Sequence, residues 1–174
     1  METTFKASLS KEVRVVSILL MVLILGLPAF LYVTIGRMPA YSHENWTFVL
    51  VMSIDLAIVA AAFLLAPQGY IVGPSGDLTI VRRGFKSVFP ADTIAGVERD
   101  EAGEIFRKSF RLWASGGAFG YFGLFRKSGV GSFQAFATRR APLVIVQRTK
   151  GGPLVVSPDD GEGFVAALKQ ATRR

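Results

Sequence analysis

The 174-residue chain has no cysteine and one histidine, His43. Without thiols neither a disulfide framework nor a thiolate metal site can form. A zinc centre or a Ser-His-Asp triad would have to be built around a single imidazole, so few hydrolase or metalloenzyme mechanisms remain, and no catalytic residue, metal ligand or cofactor is expected. Nucleotide fingerprints are missing too: neither GxGxxG nor GxxxxGK[ST] occurs. Charge is absent from one long stretch and reduced to a single aspartate in a second, and these carry the first positive signal.

Residues 15–36 read VVSILLMVLILGLPAFLYVTIG without one charged side chain. A helix of this length covers about 33 Å, the thickness of a bilayer's hydrocarbon core. Lys6, Lys11 and Arg14 precede it like the basic leader of a signal peptide. The apolar run is longer than a signal core of about 7–15 residues, however, and Met38-Pro39-Ala40 is a poor cleavage site, which favours an uncleaved anchor. Gly26 and Pro28 are expected to kink this span. The second run, 46–66, reads WTFVLVMSIDLAIVAAAFLLA. Trp46, Tyr32 and Tyr41 suit interfacial anchors. About nine residues, Arg37 to Asn45, join the runs, so they form an antiparallel hairpin, with His43 and Glu44 in a loop too short to make a site alone. Asp55 lies mid-span, where a charge costs about 2.5–3.5 kcal/mol, and is a functional candidate by default. The plain alternative is a carboxyl hydrogen-bonded to Ser17 or Thr34, or facing another subunit. Lys and Arg flank the hairpin on its outer ends while the loop holds only Arg37, which predicts a multi-pass protein of the inner (plasma) membrane with both termini in the cytoplasm.

Residues 67–174 form a second unit after the leader and hairpin of residues 1–66. Short alternating runs follow one another: GYIVG, a Pro74–Asp77 turn, LTIVRR, FKSVF, then Ile94, Val97, Ile105, Phe106, Phe110 and Leu112, and later GSFQAFAT, PLVIVQRT and PLVVS. Seven or so strands without intervening helices predict an antiparallel sandwich or partly open barrel. At the end, Ser157-Pro158-Asp159-Asp160 reads as an N-cap, a first-position proline and first-turn acids. Phe164, Val165, Leu168 and Ala171 recur at helical spacing, with Lys169, Arg173 and Arg174 at the C-terminal end. The fold class is therefore α+β: a two-helix hairpin, then β structure capped by a C-terminal helix. The strings GYIVGPSGDLTIVRRGFKSVFPADTIAGVE, GGAFGYFGLFR, GSFQAFAT, LVIVQRTKGGPLVVSPDD and GFVAALK resemble bacterial pleckstrin-homology-like (PH-like) domains over about residues 69–171. The resemblance implies a PH architecture and brings no catalytic residues with it.

The stretch SGGAFGYFGLFRK, Ser115 to Lys127, concentrates glycines, aromatics and two cations. Its glycines at 117, 120 and 123 are spaced by three, which does not match a phosphate loop. Phe119, Tyr121, Phe122 and Phe125 with Arg126 and Lys127 could dock on a bilayer, whereas aromatics in β proteins more often fill cores. We expect this loop to shape the fold first and to touch the membrane or a partner with what stays exposed. The analogy with PH domains points to Arg82, Arg83 and Lys86 around the first hairpin as lipid-binding cations. A solvated cationic face is the plain alternative in a chain of net charge +7. No nucleic-acid motif accompanies the charge, so nucleic acid is not an expected partner. The expected function is non-catalytic: binding of anionic lipid or a protein partner, with homo-oligomerisation open. A transporter or enzyme-complex subunit using Asp55, or acids such as Asp100, Glu101 and Glu104, and a structural scaffold are the rival readings.

Overall fold

The computed structural model describes residues 2–35 and 45–172. Tyr41, His43, Glu44, Arg37, Arg173 and Arg174 lie outside the described residues. The chain opens with a strand, β1 (Thr3–Lys6), before two long helices, α1 (Lys11–Ile35) and α2 (Asn45–Leu65). Ser10 starts α1: its Oγ accepts the Val13 N–H at 3.3 Å and its carbonyl accepts the Arg14 N–H at 3.0 Å. Pro28 lies inside α1. Pro67 ends α2, because the residue before a proline avoids the helical region. Both helices are long and apolar enough to cross a membrane, and almost none of their span surface is covered by protein. They pack on each other, with Tyr32 stacked on Phe48 at 4.0 Å near the end away from the β structure.

The first sheet has order β1-β2-β3-β4, all antiparallel, with β2 (Pro67–Val72), β3 (Leu78–Arg82) and β4 (Lys86–Phe89) forming a meander. The leader thus forms an edge strand of the β module, with Phe5 opposite Tyr70. The second sheet contains β5 (Ile94–Asp100), β6 (Ser109–Gly116), β7 (Tyr121–Lys127), β8 (Gly131–Ala137), β9 (Leu143–Arg148) and β10 (Leu154–Val156), in the order β5-β9-β10-β8-β7-β6. One pair departs from the antiparallel pattern: β10 inserts between β8 and β9, antiparallel to β9 and parallel to β8. All three β10 side chains are fully buried, and that burial draws the short strand to the sheet's centre.

The main core lies between the sheets and under the last helix, α3 (Gly161–Thr172). Tyr70, Leu78 and Ile80 from one sheet meet Val144, Val146, Leu154 and Val156 from the other, closed by Phe164 and Leu168. A smaller core covers the opposite face of the second sheet, where Leu143, Ile145 and Val155 pack under Ile105, Phe106, Phe125 and Phe133. Burial on both faces explains why β9 reads LVIV rather than alternating. The helix α3 begins later than the sequence suggests. Asp160 is its cap, accepting the Gly163 N–H at 2.8 Å, because Ser157 and Asp159 are held by tertiary partners described below.

Candidate functional site

The junction between the β module and the apolar hairpin gathers Arg82, Arg83, Phe119 and Phe122 of the residues singled out by sequence. Its mount is short on both sides. Only Ala66 separates α2 from β2, and only residues 7–10 separate β1 from α1, while β1 and β2 are hydrogen-bonded neighbours. The two long helices are therefore an insertion between adjacent strands, and the module is not on a loose tether. The linker is latched. Asp159 accepts the Ser8 N–H at 3.0 Å and the Ser8 hydroxyl at 2.6 Å, and pairs with Arg139. Thr138 Oγ1 donates to the Ser8 carbonyl at 2.8 Å, and the Asp159 N–H donates to the Lys6 carbonyl at 2.9 Å. Partial burial opposes the charge on Asp159, but the Ser8 and Arg139 hydrogen bonds outweigh it and hold the carboxyl below its ordinary value.

The glycine-rich loop contacts the hairpin from the other side. Phe119 and Phe122 are buried with Ala66 against Met21, Val59 and Ala62 of the helices. The Phe119 ring meets Phe63 edge-on at 5.6 Å, and its N–H donates to Ser17 Oγ at 2.8 Å. Ser17 in turn donates to the Val13 carbonyl at 2.6 Å. Phe119 has φ of 57°, a left-handed conformation that costs a bulky residue about 1–3 kcal/mol and that the ring contact and Ser17 bond offset. Gly120, at φ 131°, must be glycine: a Cβ there would lie 2.5 Å from the Ala137 carbonyl oxygen. The same glycines that could suggest a ligand loop instead make a tight tip that seats against α1 and α2.

The other candidates separate into distinct roles. Phe125 is buried in the smaller core, stacked on Phe133 at 5.5 Å, and half-buried Tyr121 leans on Phe106. Phe119, Phe122 and Phe125 thus bury their rings inside the protein. Arg83 caps α2: its Nη1 donates to the Phe63 carbonyl at 2.8 Å and its guanidinium lies 3.7 Å from the Phe63 ring centre. Lys86 and Arg126 are exposed, and Lys127 reaches the Glu104 carbonyl. Arg82 enters a cleft of about 770 Å³ between β4 and strands β6–β8, floored by Ala62 and Leu65 of α2. Its guanidinium lies 4.2 Å from the Phe85 ring centre, and Nη2 touches Ser87 Oγ. Partial burial pulls its pKa below the ordinary arginine value, and buried Nε has no acceptor.

The remaining polar candidates do not assemble. Asp55 has no hydrogen bond or ion pair among the described residues. Neither Ser17 nor Thr34 reaches it, since both bond carbonyls of their own helix, Ser17 to Val13 and Thr34 to Phe30. Asp100 accepts the Glu104 and Ile105 N–H groups at 2.9 and 2.8 Å, and so shapes a 3-10 turn. Glu101 pairs with Arg99, and Glu104 with Arg107. No metal-binding cluster occurs among the described residues. Sequence reasoning missed Trp113 and Val88, 87% and 60% exposed at the cleft, and Phe110, 72% exposed further along β6. The pairing of Trp113 with Leu124, set by a bulge after Arg111, puts Trp113 on the cleft side, and no local pattern reports that register.

Two sheets packed around a main core, closed by a C-terminal helix and seated on two long apolar helices, define a β module of PH-like architecture. The chain belongs to the bacterial PH domain family, whose profile matches residues 70–172, from β2 through α3. The leader strand and both long helices lie outside the matched region. No curated protein and no solved structure matches the chain.

Proposed function

We propose that this is a non-catalytic binding protein of the cell inner membrane, with a PH module on the cytoplasmic side that engages anionic lipid of the adjacent leaflet. Both termini are cytoplasmic in this reading, which rests on the Lys and Arg flanking the hairpin against one arginine in its loop. The carrying observation is the mount. Strands β1 and β2 grip the hairpin at both ends, so the same face of the module always meets the bilayer. Exposed Arg14 beside the first span, and Lys86 on β4, supply cations, each contributing about 1 kcal/mol near an anionic surface. The test is hydrogen exchange of the full-length chain in nanodiscs of phosphatidylcholine alone or mixed with phosphatidylglycerol. Amides of the β3–β4 turn should gain protection with the anionic lipid and lose it at high salt. Equal exchange in both nanodiscs would remove the lipid reading.

A second reading, a protein partner or second copy, is favoured by β6. It is an edge strand, so its outer backbone groups are open to strand addition, and it carries exposed Phe110 and Trp113. Protection of β6 by a co-purifying protein, indifferent to lipid charge, would select this reading.

A further inference from the structure

The cleft between β4 and strands β6–β8 combines features that neither a core nor a solvated surface needs. Its floor is the module-side end of α2, which in the membrane reading above sets its mouth at the level of the adjacent leaflet's headgroups. Its walls are largely apolar, with Phe122 and Phe136 inside and exposed Val88 and Trp113 at the rim. Tryptophan at such a level suits the interface between hydrocarbon and headgroup. Among these apolar walls sits one cation, Arg82, which has no acidic partner among the described residues. The other arginine of the doublet, Arg83, is already engaged by the last turn of α2. The Arg82 guanidinium is partly desolvated, lies 4.2 and 5.1 Å from the Phe85 and Phe136 ring centres and touches Ser87, yet faces no carboxylate among the described residues. A phosphate in the cleft would supply the missing charge, and phosphate fits a guanidinium well.

We propose that this cleft takes one anionic phospholipid from the adjacent leaflet, with its phosphate on the Arg82 guanidinium and one acyl chain along Leu65, Phe122 and Trp113. This deepens the lipid reading above by giving it a single discrete site rather than a diffuse cationic surface. The site is distinct from the exposed cations: Arg14 and Lys86 meet headgroups in passing, whereas Arg82 holds one lipid by charge and apolar contact together. A zwitterionic lipid offers the same chains but a phosphate already balanced by its own ammonium, so the cleft discriminates by net charge.

The test is native mass spectrometry of the full-length chain released from detergent micelles and titrated with phosphatidylglycerol or phosphatidylcholine. One phosphatidylglycerol should bind per chain at least 10-fold more tightly than phosphatidylcholine. Arg82→Gln should weaken it about 10-fold. Val88→Trp, which fills the rim from an exposed position, should displace it with Arg82 intact, and carries the test if the Arg82 variant does not fold. Tight phosphatidylglycerol binding that neither variant alters would overturn the cleft while leaving the module an anionic-lipid binder. No preference for phosphatidylglycerol by the unaltered chain would overturn both. A polypeptide found across β4 or β6 in place of lipid would overturn the cleft assignment in favour of the partner reading.

Discussion

Tyr70 is fully buried, and its hydroxyl links three parts of the molecule. It donates to the Phe136 carbonyl at 2.5 Å and accepts the Ser157 N–H at 3.0 Å, and Ser157 Oγ accepts the Thr138 N–H at 2.7 Å. Burial raises the phenol to about 12, so it remains a proton donor throughout the accessible pH range. Tyr70→Phe leaves a buried carbonyl and a buried N–H without partners and is expected to cost about 1–3 kcal/mol, read as a lower midpoint in chemical denaturation. At this scale the sequence was an uneven guide. The arginine doublet 82-83 stood out, but its two members have unrelated roles, one capping α2 and one entering the cleft. Neighbours in a sequence point to opposite faces of a strand end, and only packing distinguishes them.

The elements show how the linker is held. Residues 7–10 are a short, unremarkable stretch in the sequence, yet Ser8 is gripped by Asp159 and Thr138 from parts of the chain about 130 to 150 positions away. The Asp159 carboxyl is held below its ordinary value, so the folded state favours its charged form. The latch is therefore at full strength above the unfolded carboxyl value of about 3.9 and is lost as pH falls through the lower folded value. Hydrogen exchange of the Ser8 amide should rise below about pH 4, and Asp159→Asn should reproduce that rise at neutral pH. Unchanged exchange in the variant would show that the Thr138 contact suffices. The strands bounded by turn residues at 74–77, 84 and 150–152 were legible, but β1 and β7 were not. Thr3–Lys6 reads as a basic leader and Tyr121–Lys127 as part of a glycine-rich loop, and only their pairing with β2, β6 and β8 makes them strands. The start of α3 was not legible either, since Ser157 and Asp159 are good capping residues that stronger tertiary contacts engaged first.

At the scale of the whole molecule, the unmatched feature is the bare apolar surface of the two long helices and the half-buried carboxyl of Asp55 within it. A carboxyl in hydrocarbon needs a partner or a proton, and the hairpin offers no side-chain partner among the described residues. We expect Asp55 to serve helix assembly between copies. Asp55→Asn should shift the oligomer distribution of the detergent-solubilised chain, seen by crosslinking, while the module's unfolding midpoint stays unchanged. Loss of an ion flux in that variant, with assembly intact, would instead support the transport reading. The mount makes such assembly consequential, since helices held between β1 and β2 would set the spacing of neighbouring modules.

Composition and periodicity alone determined the two long apolar helices, the β-rich module and the closing amphipathic helix, because hydrophobic runs and turn residues act locally. They also carried the family resemblance over most of the module. Tertiary structure alone decided that residues 3–6 complete the first sheet, that the glycine-rich tip seats on the hairpin, and that Arg82 and Trp113 share one cleft. Each of these depends on strand register and on contacts between distant residues, and a one-residue change of register exchanges the face on which every side chain lies.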